Sequence, residues 1–210
     1  MKRIGIFGGS FNPIHLGHTA LAAYICEQGL VDEVWLMVSP QNPLKQDLTL
    51  LDENERLAMA RLAVAPYPML KACDFEFTLP RPSYTYHTLQ ALRTTYPDYE
   101  FSLIIGEDNW QCFDRWFRGE DIARETPIIV YPREVESLGL RVEGKLRDKF
   151  PTGWYLREEP QFRGKQSSSP KLLPYSSTEV RKFIAEGQDT SHMLHPDVAQ
   201  HIKENSFYLK

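Results

Sequence analysis

The feature that most constrains the fold is an alternation. A short apolar run, a turn and a segment of helical period recur five times along the chain. Ile4, Ile6 and Phe7 make the first run, which ends at Gly8-Gly9. Residues 34–38, 72–78, 101–105 and 127–131 make the next four. In the first interval Leu16, Leu21, Ala20, Ala23, Tyr24 and Ile25 fall at helical spacing, and Gly29 stands where a C-cap belongs. Asp52 can cap a second helix over 52–65, with Glu55 completing a capping box. Helices are also expected over 83–95 and from Asp108 onward, the latter carrying Trp110, Phe113, Trp116 and Phe117. Segment 135–150 reads as mixed and helical, 154–156 as a short strand, and 161–170, with Ser167-Ser168-Ser169, as a loop. Helices over 177–186, stopped by Gly187, and over 196–204 close the chain.

Strands alternating with helices imply βαβ units. The expected class is therefore α/β: a Rossmann-like three-layer sandwich with a mainly parallel sheet of about five to six strands. At ~150 residues per domain, 210 residues predict one domain over 1–210, with a C-terminal helical portion from about 175.

Charge narrows the function. Lys and Arg number 24 against 28 Asp and Glu, a net −4. Duplex binding rests on clustered cations, so neither nucleic acid nor an anionic membrane is an expected partner. No apolar run approaches the ~20 residues of a membrane span. Lys2-Arg3 with the apolar run behind it superficially fits a signal peptide, but Gly8, Gly9, Asn12, Pro13 and His15 interrupt any such segment. Cys26, Cys73 and Cys112 are odd in number and form no CxxC. A disulfide framework or thiolate zinc site is not expected, and a reducing cytoplasm is. Cys26 and Cys112 read as small core residues. The sequence does not decide between a monomer and a homo-oligomer.

In open parallel sheets the ligand sits outside the carboxyl ends of the strands. Three polar segments follow apolar runs: 8–18, 39–45 and 106–108. The first is Gly8-Gly9-Ser10-Phe11-Asn12-Pro13-Ile14-His15-Leu16-Gly17-His18. It is a strand end, a glycine turn and a helix start. Glycines admit a bulky anion, and a helix N-terminus offers unpaired N–H groups. The pattern is neither a P-loop nor GxGxxG. His15 and His18 fall on one helical face, about 5–6 Å apart, where two imidazoles can donate to phosphate oxygens. Gly17 between them leaves room for a ligand. Polar capping is the other reading of the pair. No third ligand stands at metal spacing, so no protein-held metal is expected.

Tyr175-Ser176-Ser177-Thr178-Glu179-Val180-Arg181 is the second segment. Ser176 to Glu179 matches a capping box. Ser177 and Thr178 add hydroxyl donors to what can also be an anion site, and Arg181 follows one turn on, toward phosphate or toward solvent. His192, His195 and His201 read as surface residues.

In these segments the chain resembles the HxGH nucleotidylyltransferases, and within them the bacterial nicotinate-nucleotide adenylyltransferase family, over nearly its whole length. His15-Leu16-Gly17-His18 matches the HxGH motif, and Ser176 to Arg181 the ISSTxIR element. Asn42-Pro43-Leu44-Lys45, Ser83-Tyr84-Thr85 and Gly106-Glu107-Asp108-Asn109 with Trp116 follow in order. Glu107, His87 and Tyr175 depart from that family's usual Ala, Asp and Ile.

The resemblance implies that His15, His18, Lys45 and Arg181 carry catalysis, with His18 on the α-phosphate. It implies ATP binding by Gly8, Gly9, Ser10, Phe11, His15, His18, Gly106, Asp108, Ser177, Thr178 and Arg181. Asn42, Lys45, Tyr84, Thr85 and Trp116 would bind the pyridine nucleotide, Trp116 by stacking; its spacing to Phe113 equally suits plain core packing. The implied reaction takes ATP and nicotinate mononucleotide to deamido-NAD and pyrophosphate, with Mg²⁺ carried on the ATP phosphates. The alternatives are adenylyl transfer to nicotinamide mononucleotide or another phosphorylated acceptor, and a nucleotide-binding regulator without catalysis.

Overall fold

The computed structural model describes residues 1–40, 50–131, 153–155, 173 and 175–209. Asn42, Lys45 and the segments 135–150 and 161–170 lie outside the described residues.

Strands β1 (Lys2–Gly9), β2 (Glu33–Val38), β3 (Leu70–Cys73), β4 (Tyr99–Gly106), β5 (Ile128–Tyr131) and β6 (Gly153–Tyr155) form one sheet in the order β3-β2-β1-β4-β5-β6. Every pairing is parallel. Helices α1 (Leu16–Glu27), α2 (Glu53–Val64), α3 (Thr85–Thr95), α4 (Glu107–Gln111), α5 (Gly119–Glu125), α6 (Ser177–Ala185) and α7 (Pro196–Glu204) complete the described elements.

The strands are apolar on both faces because both faces are covered. Alternate residues divide between two cores. Phe7, Val34, Leu36, Val38, Ile104, Ile129 and Tyr131 join Leu21, Ile25, Leu57 and Met59 on one side. Ile4, Ile6, Trp35, Met37, Phe101, Leu103, Ile105, Ile128 and Val130 join Leu89, Leu92, Trp110 and Ile122 on the other. Val180, Met193, Leu194, Val198 and Ile202 belong to the first core, so α6 and α7 pack with α1 and α2. Leu16 N–H donates to the Met193 carbonyl at 2.8 Å, stitching this C-terminal part to the start of α1.

Three local expectations need correction. The alternation over 72–78 does not continue as a strand: β3 ends at Cys73, and Phe75–Thr78 closes into a 3₁₀ turn. Glu76 is buried there and accepts from the Thr88 hydroxyl at 2.8 Å, which a solvent-facing strand position could not do. The helix begun near Asp108 is broken. α4 ends at Gln111, Phe113–Arg115 is a 3₁₀ turn, and Arg118 takes a left-handed φ of 55° before α5. Finally, Asp52 caps α2 through Asn54 N–H at 2.8 Å, while the Glu55 carboxylate lies 3.2 Å from His201 Nε2 on α7. Glu55 thus joins two helices.

Candidate active site

The order β3-β2-β1-β4-β5-β6 changes direction between β1 and β4, and ligands of such sheets sit at that point, beyond the strand C-termini. Phe7 pairs with Ile104, so two residues further on Gly9 and Gly106 arrive together at this edge. The sequence segments expected to carry chemistry start here.

The turn after β1 is tightly held. Ser39 N–H donates to the Gly9 carbonyl at 3.0 Å. Phe11 has a φ of 44°, a region that non-glycine residues enter at a cost, and its buried ring pins it there. A Cβ on Gly9 would lie 3.1 Å from that ring, whereas one on Gly8 would meet nothing within 4 Å. Gly9 is therefore demanded by packing and Gly8 faces open space, where a ligand can approach the backbone. Gly17 makes room for a neighbouring side chain. A Cβ there would lie 3.0 Å from His15 Nδ1 and 3.3 Å from the Leu173 carbonyl. Its missing side chain makes room for the His15 ring.

His15 is the N-cap of α1 and is buried. Its ring stacks on that of His18 with centroids 3.7 Å apart, closer than helical spacing alone suggests. His15 N–H donates to His18 Nδ1 at 3.2 Å. That bond requires a bare Nδ1, so a neutral His18 carries its proton on Nε2 and presents a donor there. Phe11 meets the His18 ring edge-on at 5.0 Å, with Phe7 at 6.0 Å. Phe11 is thus a wall that orients His18. The pair is at once a helix cap and an oriented donor set, so the two readings of the sequence are compatible.

α6 brings the second motif to the first. Ser176 is its N-cap and accepts from Glu179 N–H at 3.1 Å. Ser177 Oγ donates to the Pro13 carbonyl at 2.9 Å, and Arg181 Nη1 to the Asn12 carbonyl at 2.7 Å. Arg181 Nη2 also reaches Thr178 Oγ1 at 3.3 Å. Residues more than 160 positions apart in sequence are locked together at the turn. Arg181 is half-buried and does not project freely into solvent.

Two contributors escaped the sequence reading. Arg56 on α2 is completely buried. Its guanidinium donates to the carbonyls of Ser10 and Ser39 at 2.7 Å and of Leu51 and Pro40 at 2.9 Å. It fixes the turn after β1 to the segment after β2, the one that leads to Asn42 and Lys45. Tyr208, beyond α7, donates its hydroxyl to Asn12 Oδ1 at 2.7 Å. No local motif marks either residue. Only the apolar period of α2 hints at Arg56, which falls beside Leu57 and a turn from Met59 and Ala60 on the buried face.

On the other side of β4 the site is built from rings. Gly106 is the N-cap of α4, and Asp108 is exposed on its first turn. Tyr84 is the N-cap of α3, and Thr85 opens that helix half-buried. No side chain caps α3 and its first turn is free of acidic residues. Trp116 is half-buried and packs on Phe113 with centroids 5.1 Å apart, against the second core. The exposed ring is its neighbour Phe117, 45% accessible, which lies 4.8 Å from Tyr84 and 5.3 Å from His87. Arg118 covers Tyr86 at 4.5 Å and pairs with Asp121. His87 therefore belongs to an aromatic cluster, which accounts for a ring at that place.

Among the described residues, no group of three or more His, Cys, Asp or Glu could hold a metal ion, and no helix is long and apolar enough to cross a membrane. His195 caps α7 by accepting from Asp197 N–H at 3.3 Å. The three cysteines are free thiols; burial pushes Cys26 up to about 11 and raises Cys73 too.

The chain belongs to the cytidylyltransferase-like family, whose model matches residues 6–183. It is 46% identical over 200 residues to a protein of Bacteroides fragilis named probable nicotinate-nucleotide adenylyltransferase, covering 95% of this chain and 90% of that one. It is 38% identical to a Flavobacterium johnsoniae protein of the same name, covering 99% and 100%. These likenesses place the chain in the nicotinate-nucleotide adenylyltransferase branch. A solved Plasmodium falciparum nicotinic acid mononucleotide adenylyltransferase complexed with NaAD superposes with a TM-score of 0.75 at 22% identity, covering 99% of this chain and 98% of that one, which shows the shared fold.

Proposed function

We propose that this protein transfers the adenylyl group of ATP to the 5′-phosphate of nicotinate mononucleotide, releasing pyrophosphate and forming deamido-NAD. The observation that carries the reading is the convergence on the turn after β1. Arg181 and Ser177 meet the carbonyls of Asn12 and Pro13, and the stacked His15–His18 pair stands at the start of α1. This set of donors suits a triphosphate.

The attacking group is a phosphate monoester, whose second pKa is ~6. It is already largely ionised at neutral pH and needs no general base. Catalysis then consists of alignment and of holding charge at the α-phosphate. His18 presents its Nε2–H as that donor, held in tautomer by His15 N–H and in orientation by Phe11. Arg181, Thr178 and the N-terminus of α6 face the remaining phosphates, and Gly8 gives them access to backbone. Lys45 assists the phosphates. Magnesium carried on the ATP phosphates would supply charge neutralisation for the leaving pyrophosphate; among the described residues no carboxylate cluster stands ready to hold it. Gly106 and Asp108 face the adenosine. Tyr84, Thr85 and the Trp116–Phe117 pair form the acceptor side, in the cytoplasm where the soluble substrates meet.

The acceptor's carboxylate distinguishes nicotinate from nicotinamide mononucleotide. The uncapped first turn of α3 offers backbone N–H groups and carries no acidic residue of its own. An amide there sets its NH₂ against donors, a mismatch costing about 1–3 kcal/mol, or roughly 5- to 150-fold. The test is pyrophosphate release with Mg-ATP and either mononucleotide. Higher kcat/KM for nicotinate mononucleotide is expected. No release with any phosphorylated acceptor, despite ATP binding, would instead favour a nucleotide-binding regulator.

A further inference from the structure

The last residues of the chain touch the nucleotide site. Tyr208 lies four residues beyond α7, at a left-handed φ of 63°. Its ring packs against the first core beside Phe207, and its hydroxyl reaches Asn12 Oδ1 at 2.7 Å. Asn12 is 2% exposed, and the same oxygen also accepts from Leu51 N–H at 3.4 Å. The Asn12 carbonyl, on the other side of the residue, accepts from Arg181 at 2.7 Å. One buried side chain and one backbone carbonyl of a single residue thus link the chain terminus to the arginine of α6.

We propose that Tyr208 is a positioning residue: its phenol, through Asn12, holds the carbonyl that aims the Arg181 guanidinium at the triphosphate. The inference rests on the reading of Arg181 as a phosphate ligand. Three observations support it. Asn12 sits between Phe11, in a left-handed conformation, and Pro13, whose carbonyl holds Ser177. A peptide unit with a strained neighbour stays where its hydrogen bonds put it, so loss of one anchor lets the carbonyl rotate. The phenol is a dependable donor, because burial raises its pKa and keeps it protonated at any physiological pH. Finally, the hydroxyl stands near enough to the Arg181 and Arg56 guanidiniums for their charges to act on it. A device of pure packing would not need it.

Tyr208→Phe removes the hydroxyl and keeps the ring. The effect of one net hydrogen bond on the aim of Arg181 should appear as roughly a threefold to tenfold loss in kcat/KM for ATP. KM for the mononucleotide should stay close to wild type, and the melting temperature should fall by only a few degrees. Because Tyr208 acts through Arg181, the two losses must not multiply: in an Arg181→Ala background, Tyr208→Phe should change the rate by less than about twofold. Unchanged ATP kinetics in Tyr208→Phe would overturn the proposal. So would a multiplicative loss in the double variant, or equal losses for both substrates with a large fall in melting temperature. A wild-type chain that releases no pyrophosphate would reject adenylyl transfer separately. Titration of ATP into the same variants then decides the brace, which an unchanged ATP dissociation constant in Tyr208→Phe would overturn. If wild type binds no ATP, both readings fall.

Discussion

The two ends of the site are built on different principles. At the proposed phosphate end, buried and half-buried donors grip backbone carbonyls: Arg56 on Ser10, Ser39, Pro40 and Leu51, Arg181 on Asn12, Ser177 on Pro13. At the proposed acceptor end, exposed and half-buried rings lean on one another: Tyr84, His87 and Phe117, with Trp116 behind them. Hydrogen bonds to carbonyls fix positions in a buried, low-dielectric place where leaving one unmade is costly. Ring contacts are broad and tolerate tilts. The contrast suits the proposed ligands. A triphosphate presents charge that must meet donors within a few tenths of an ångström, whereas a flat pyridine needs a surface.

Removing Arg56 is the severest test of the contrast. Arg56→Met strips donors from four carbonyls at once, and at about 1–3 kcal/mol for each group left dry the loss should be ~3 kcal/mol or more. Urea unfolding measures it, and a loss below about 1 kcal/mol would show that the phosphate end is not held as described. Next in size is His18. With His18 as the proposed donor at the α-phosphate, its loss in His18→Ala should lower kcat about 10²- to 10³-fold, more than it raises KM for ATP. Near-normal turnover in a folded variant would remove His18 from the mechanism.

At the ring end, effects should be smaller and fall elsewhere. Phe117→Ala is expected to raise KM for the mononucleotide by about tenfold, the value of one stacking contact, with ATP binding unchanged. A fall in kcat with KM constant would mean that this end also aligns the reaction. The mildest effect concerns Glu76, beneath α3. Burial raises its pKa while Thr88 and Ser39 donate to it. A carboxyl whose folded pKa lies above the unfolded value adds stability at low pH, and that contribution is lost as pH rises through the folded pKa. Glu76→Gln should therefore melt higher than wild type at pH 8 and close to it at pH 4. The opposite order would mean that Glu76 is held ionised by its donors.

Some of this was legible without coordinates. The HxGH and Ser176–Arg181 segments name their own residue types, and both lie at helix starts where donors concentrate. Ser176 as N-cap followed from its spacing to Glu179. Other parts were not legible. Over residues 72–78 the alternation of Phe75 and Phe77 with Asp74 and Glu76 is what a strand shows, but the decisive fact is a hydroxyl on α3 that makes burial of Glu76 tolerable. Trp110, Phe113, Trp116 and Phe117 share helical spacing, yet the left-handed Arg118 and the turn before it send Phe117 outward and Trp116 inward.

What the sequence by itself determined is the class: apolar runs of strand length, separated by helices, leave a parallel sheet covered on both faces as the way to bury them. It also determined which residue types stand at the first helix start. Tertiary structure alone decided which of them act together. Arg181 meets Asn12, Tyr208 meets Asn12, and Arg56 meets four carbonyls across separations of 5 to 196 residues. The physical reason is that these bonds are made to backbone carbonyls and to one asparagine oxygen. Every residue carries a carbonyl, so nothing in a side-chain pattern marks which one will be chosen. The choice is made when α2, α6 and the chain terminus close over the turn after β1 and exclude water from it.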